Sequence, residues 1–185
     1  MMNPSTSVLA LIDAPAQELC DTAPALKNLK MLDDAAVILR VPVFMVRYPD
    51  SLDAGVIGTT YPDRSTYPHI AFDLAAVKWQ DTELAQAIAK TGRTQLIVSG
   101  LWLEEAITLL ALKSLAIGLD TYVPVDATAA INEHDANPAH SRLTQAGCVP
   151  TTSGQILREW AVLSGDGEMQ SSIGILLHQN SVNSP

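Results

Sequence analysis

The chain has 185 residues, nearly half of them apolar, which suits one domain with a core of its own. Its formal charge of −9, with no clustering of Lys and Arg, excludes a phosphate-backbone partner such as nucleic acid. Two cysteines, Cys20 and Cys148, give neither a disulfide framework nor a CxxC metal knuckle, so the composition is that of a reduced cytoplasmic protein.

The first twelve residues hold an apolar run without a basic stretch before it or a small-residue cleavage site after it. They read as a short tail and a core strand, not a signal peptide. No later apolar run approaches the roughly 20 residues that a membrane helix needs, so no membrane partner is expected. Apolar segments of strand length alternate with longer ones of helical period, the signature of βαβ units. This predicts strands over residues 7–12, 43–47, 69–72, 95–99, 121–125 and 148–152, of which 69–72 is the weakest. Helices are predicted over 23–40, 82–90, 104–117, 138–146 and 153–164. Most crossovers are then helical, so the strands should run parallel with both faces covered.

Boundary residues agree with this division. Val41-Pro42 stops the first helix, Thr91-Gly92 the second and Gly118 the third, while Ser153 is read as the N-cap of the last. The span 48–67, rich in Pro, Gly, Asp, Ser and Thr, is a long loop of the kind that carries function or an interface. Residues 1–164 read as a single α/β domain and 165–185 as a tail. An apolar patch at 173–177 in that tail docks on the body or on a neighbouring subunit, and 179–185 are expected to fray.

Several separated stretches resemble the isochorismatase-like cysteine hydrolases, from roughly Ser7 to Trp160. They are Val8-Leu9-Ala10-Leu11-Ile12-Asp13, then Gly100-Leu101-Trp102-Leu103-Glu104-Glu105-Ala106, then Gly118 through Val125-Asp126-Ala127. Ile131-Asn132-Glu133 and Arg142-Leu143-Thr144-Gln145-Ala146-Gly147 continue the match. The resemblance implies a three-layer α/β/α fold with a mostly parallel six-stranded sheet in the order 3-2-1-4-5-6. Because members of that family commonly form dimers, tetramers or rings, it also implies a homo-oligomer.

The family's chemistry uses a Cys thiolate as nucleophile, an Asp at the end of the first strand as base and a supporting Lys. A thiol is activated at a helix N-terminus beside a cation, and backbone N–H groups hold the oxyanion. By this resemblance Asp13 is the base; read without it, the same carboxylate caps the loop after the first strand. The pattern G-V-x-T-x-x-C places Ala106 at the nucleophile position, and a methyl group can form no thioester. The Lys position falls close to Phe72, where no cation stands. Lys78 is the nearest lysine, in a segment resembling the family's N-A-W-D stretch with Trp79 on the aromatic, although a solvated charge before the helix is its simpler reading. His69 and Arg64 are the other cations offered by that loop.

Cys20 is a weak candidate for a relocated nucleophile, since Glu18 and Asp21 disfavour its thiolate. Cys148 is most simply a small buried hydrophobe. His134, His140 and His178 are scattered and the D-x-H…H pattern is missing, so neither metal nor other cofactor is expected. The resemblance further implies a cis peptide at Leu101–Trp102 that turns backbone N–H groups into the pocket, with Trp102 as an aromatic wall.

Three functions remain open at this point: a small-molecule binder that has lost the family reaction, a hydrolase of small amides, esters or related carbonyl compounds using Asp13 with water or Cys20, and a structural subunit of an oligomer. Ala106 speaks against turnover, Asp13 for a working pocket, and the apolar patch at 173–177 for assembly.

Overall fold

Alternation along the central strands sets the layers. In the computed structural model, which describes residues 1–13, 23–47, 67–73, 76 and 78–182, β1 (Ser7–Asp13) is buried from Ser7 through Ile12. Val8, Ala10 and Ile12 turn to one face and Leu9 and Leu11 to the other, each into its own apolar cluster. β2 (Val43–Arg47) and β4 (Gln95–Leu101) divide in the same way, with Phe44, Val46, Leu96 and Val98 on the first face and Val43, Met45 and Ile97 on the second. A strand with period-2 apolar side chains on both faces must be covered on both, and it is.

The first face is packed by α2 (Glu83–Lys90), α3 (Thr108–Ala116) and α4 (Glu133–Ala146). The second is packed by α1 (Ala23–Ile38), α5 (Ser153–Ser164) and α6 (Gly167–Val182). β3 (His69–Ala71), β5 (Asp120–Pro124) and β7 (Val149–Thr151) complete a parallel sheet in the order β3-β2-β1-β4-β5-β7. The expected order is thus found, with one addition. A two-residue strand, β6 (Thr128–Ala129), pairs with the end of β4 and makes the sheet seven-stranded. Two residues carry no period, which is why it was not foreseen.

Other boundaries differ from the sequence expectation. The helix expected over 104–117 is two elements, a π turn at Leu103–Ile107 and then α3, because Glu105 at φ −111°, ψ −105° leaves helical geometry. α4 starts at Glu133, five residues before Pro138, under the cap of Asn132, whose side chain accepts from the His134 N–H at 3.1 Å. The helix expected from Pro138 thus begins earlier, with the proline inside it. Thr152, not Ser153, caps α5, accepting from the Gln155 N–H at 3.2 Å.

The C-terminal segment forms a regular helix. α6 packs against α1 and α5 and buries Ile173 completely; residues 179–182, expected to fray, continue it. Lys27 Nζ donates to the Asn180 carbonyl at 3.0 Å and Asn180 Nδ2 to Asn28 Oδ1 at 2.9 Å, which fastens its last turn to α1. Among the described residues, no helix is long and apolar enough to cross a membrane.

Candidate functional site

In parallel α/β sheets, ligands bind at the carboxyl ends of the strands. Here β1 and β4 end side by side, Ile12 in register with Gly100, so that Asp13 closes one strand as Leu101 closes the other. Gly100 turns the chain at φ +117°, a conformation that L side chains rarely adopt. The following Leu101–Trp102 peptide is cis, as the resemblance implied.

The chain then enters the π turn. The Trp102 carbonyl accepts from the Glu105 N–H at 3.2 Å and from the Ile107 N–H at 3.3 Å, and Thr108 Oγ1 donates to the Leu103 carbonyl at 2.5 Å. Glu104 is thereby swung toward the start of α4, where its Oε1 accepts from the N–H groups of Ile131 and Asn132 at 2.8 and 3.0 Å. Its other carboxylate oxygen is buried without a hydrogen-bond partner among the described residues. Sequence reading missed this clamp, because its two ends lie 27 and 28 residues apart and no local pattern joins them.

Ala106 is buried in the cluster on the first face, together with Phe72 and Trp79. Phe72 and Trp79 meet edge to face, ring centroids 5.9 Å apart at 84°, a favourable arrangement of aromatic quadrupoles. Trp79 Nε1 is buried without a hydrogen-bond partner among the described residues. Leu101 and Trp102 gather instead with Ala129, Ala25 and Ile131. The structure therefore brings Ala106, Phe72 and Trp79 into one apolar cluster and assigns Leu101 and Trp102 to another.

Lys78 is exposed beside a 3-10 turn, Trp79–Asp81, and borders a surface hollow with Asp73, Asp81 and Thr82. His69 is exposed on the edge strand, its Nδ1 3.3 Å from Arg47 Nη2. The Asp13 side chain, Cys20 and Arg64 lie outside the described residues, as does nearly all of the loop over 48–67. Tyr67, at the end of that loop, donates to the buried Asp33 at 2.9 Å. No group of three or more potential metal ligands is found among the described residues.

Asp126, quoted above only as part of a motif, has a defined task. Its two oxygens accept from the N–H and the hydroxyl of Ser153, each at 2.7 Å, and its carbonyl accepts from Asn28 Nδ2 at 2.8 Å. Cys148 is buried at 3 % exposure, and burial pushes its thiol up to about 12 from 9.0. Above pH 9 the unfolded chain gives up a proton that the folded chain retains, so this residue makes stability fall by roughly 1.4 kcal/mol per pH unit up to about 12 and leaves it level below. Urea unfolding at about pH 8 and about pH 10 should therefore show a loss about 1 kcal/mol smaller in Cys148→Ala than in the natural protein; equal losses would refute it.

The Isochorismatase domain matches residues 8–155. The probable hydrolase YcaC of Escherichia coli (strain K12) is 29% identical over 124 residues, which are 65% of this chain and 58% of that protein. The chain thus spans less than two thirds of that relative. The crystal structure of the E. coli YcaC gene product, described as an octameric hydrolase of unknown specificity, superposes with a TM-score of 0.74 at 21% identity, covering 93% of this chain and 88% of the other. MAR1 ribonuclease of Caenorhabditis elegans gives 0.74 at 20% identity, covering 95% and 91%.

Proposed function

The chain belongs to the isochorismatase family, and on that premise we propose that it binds a small molecule in the family pocket without the family's cysteine-dependent hydrolysis. The observation that supports this reading is Ala106, a buried alanine between the cis peptide and α3, which the resemblance aligns with the family's thiol. Nothing about a methyl group can attack a carbonyl carbon or take up a proton. Phe72, fully buried, supports the same reading, because the resemblance puts the family's Lys close to it and a phenyl ring cannot stabilise a thiolate or an oxyanion as an ammonium would.

Asp13 at the end of β1 remains as a polar anchor for a ligand. The assembly described for the E. coli relative, an octamer, supports a homo-oligomer here as well. A charge of −9 gives no support to carrying over a ribonuclease activity, because a polyanionic substrate would be repelled.

The test is hydrolysis of a panel of small amides, esters and ureas by the natural protein and by Asp13→Ala, Cys20→Ala and Ala106→Cys. The natural protein should be no faster than buffer, and Ala106→Cys should gain measurable turnover. Turnover by the natural protein that disappears in Asp13→Ala would overturn the proposal in favour of a water-based hydrolase, and loss in Cys20→Ala in favour of a relocated thiol.

A further inference from the structure

A second concavity lies beyond the π turn. It has a volume of about 380 Å³, sits between the start of α1, the turn Val125–Ala127 and the first half of α4, and includes Leu103 but none of Phe72, Trp79 or Ala106. We propose that it is a binding site for a small uncharged molecule with an amide or hydroxyl head on a short apolar body.

The polar groups around it decide the class. Thr128 lines the cavity at 8 % exposure, and its hydroxyl is buried with no hydrogen-bond partner among the described residues. Burying a hydroxyl unpaired is costly, and native structures keep such a group only rarely. A ligand that offers it a donor or an acceptor would remove that cost. The other polar groups nearby are already engaged: the Asp126 carboxylate by Ser153, and the Asn28 amide by the Asp126 carbonyl on one side and Asn180 on the other.

His140, also in the wall, is half-buried, and desolvation holds its pKa below 6.5, so its ring is neutral and presents one donor and one acceptor. Among the described residues neither Lys nor Arg lines the cavity, whereas Glu133 stands exposed at its edge. An anion would meet a carboxylate and find no counter-charge. The rest of the wall, including Leu103, Val125, Ala129 and Ala136, is apolar and suits a short hydrocarbon body. The volume lies in the range of small-molecule sites, roughly 300–1,000 Å³.

The probe is butyramide, with butyrate as its anionic isostere, measured by ligand-observed NMR on the full chain. We expect butyramide to bind at least about tenfold more tightly than butyrate. Thr128→Val should weaken butyramide about tenfold while leaving Tm unchanged or higher, since valine keeps the shape and removes the unpaired hydroxyl. Ala136→Leu, which fills the cavity, should abolish binding. Absence of butyramide binding, equal affinity for butyrate, an unchanged affinity in Thr128→Val, or retained binding in Ala136→Leu would each overturn the proposal.

Discussion

Trp160→Ala is expected to destabilise the protein by ~3–5 kcal/mol, lowering Tm by about 10 °C in thermal unfolding. Trp160 lies in the middle of α5 and is completely buried in the cluster formed by α1, α5, α6 and the second face of the sheet. Its truncation removes a large apolar surface and leaves a cavity between helices that are fixed at both ends. The indole also donates from Nε1 to Ser7 Oγ at 3.2 Å, and that hydroxyl in turn donates to the Asn3 carbonyl at 2.8 Å. Phenylalanine would keep most of the volume and forfeit the hydrogen bond, so Trp160→Phe should cost ~1–2 kcal/mol. Ser7 begins β1, at the opposite end of the strands from Gly100 and Ala106. Below its melting transition, Trp160→Ala should therefore bind ligands as the natural protein does. A Tm within 2 °C of the natural protein's would contradict the burial argument, which predicts about 2–4 °C for each kcal/mol lost.

Asp126→Ala should cost ~2–4 kcal/mol. The carboxylate makes two short charge-assisted hydrogen bonds to Ser153, each worth roughly 1.5–3 kcal/mol, and it stands at the positive end of α5. The gross sum is reduced because the freed N–H and hydroxyl of Ser153 regain water in part. Asn keeps an acceptor for the N–H and loses the charge, so Asp126→Asn should fall about midway, and denaturant titration of the three proteins gives the order directly. If alanine and asparagine were equivalent to the natural residue, the clasp between the end of β5 and α5 would be of no account to stability.

Much of the architecture follows from local sequence. The unbroken apolar run over Val8–Ile12 can only be a strand covered on both faces, and its alternation assigns each side chain to a layer. Thr82 and Gly147 mark helix ends by chemistry that acts within one turn: a hydroxyl accepting from the Ala85 N–H, and a residue at φ +101°. The order of the family stretches placed Asp13, Gly100 and Ala106 at one end of the sheet, and the cis peptide at Leu101–Trp102 was legible from the same resemblance.

Other features depend on residues that meet only after folding. Residues 104–107 have good helical period, yet the chain makes a π turn there and Glu104 reaches across to Ile131 and Asn132. In sequence, residues 173–177 are an apolar patch in a polar tail; packed on α1 and α5, they belong to a helix that buries Ile173. The clasp of Asp126 on Ser153 and the cavity beside Thr128 arise from the meeting of β5, β6, α1, α4 and α5. Sequence by itself determined the alternation of strands and helices, because that depends on residue identity and on neighbours within a turn. Only the tertiary structure decided which polar groups are satisfied and which stay unpaired, since burial and hydrogen bonding are settled by partners distant along the chain.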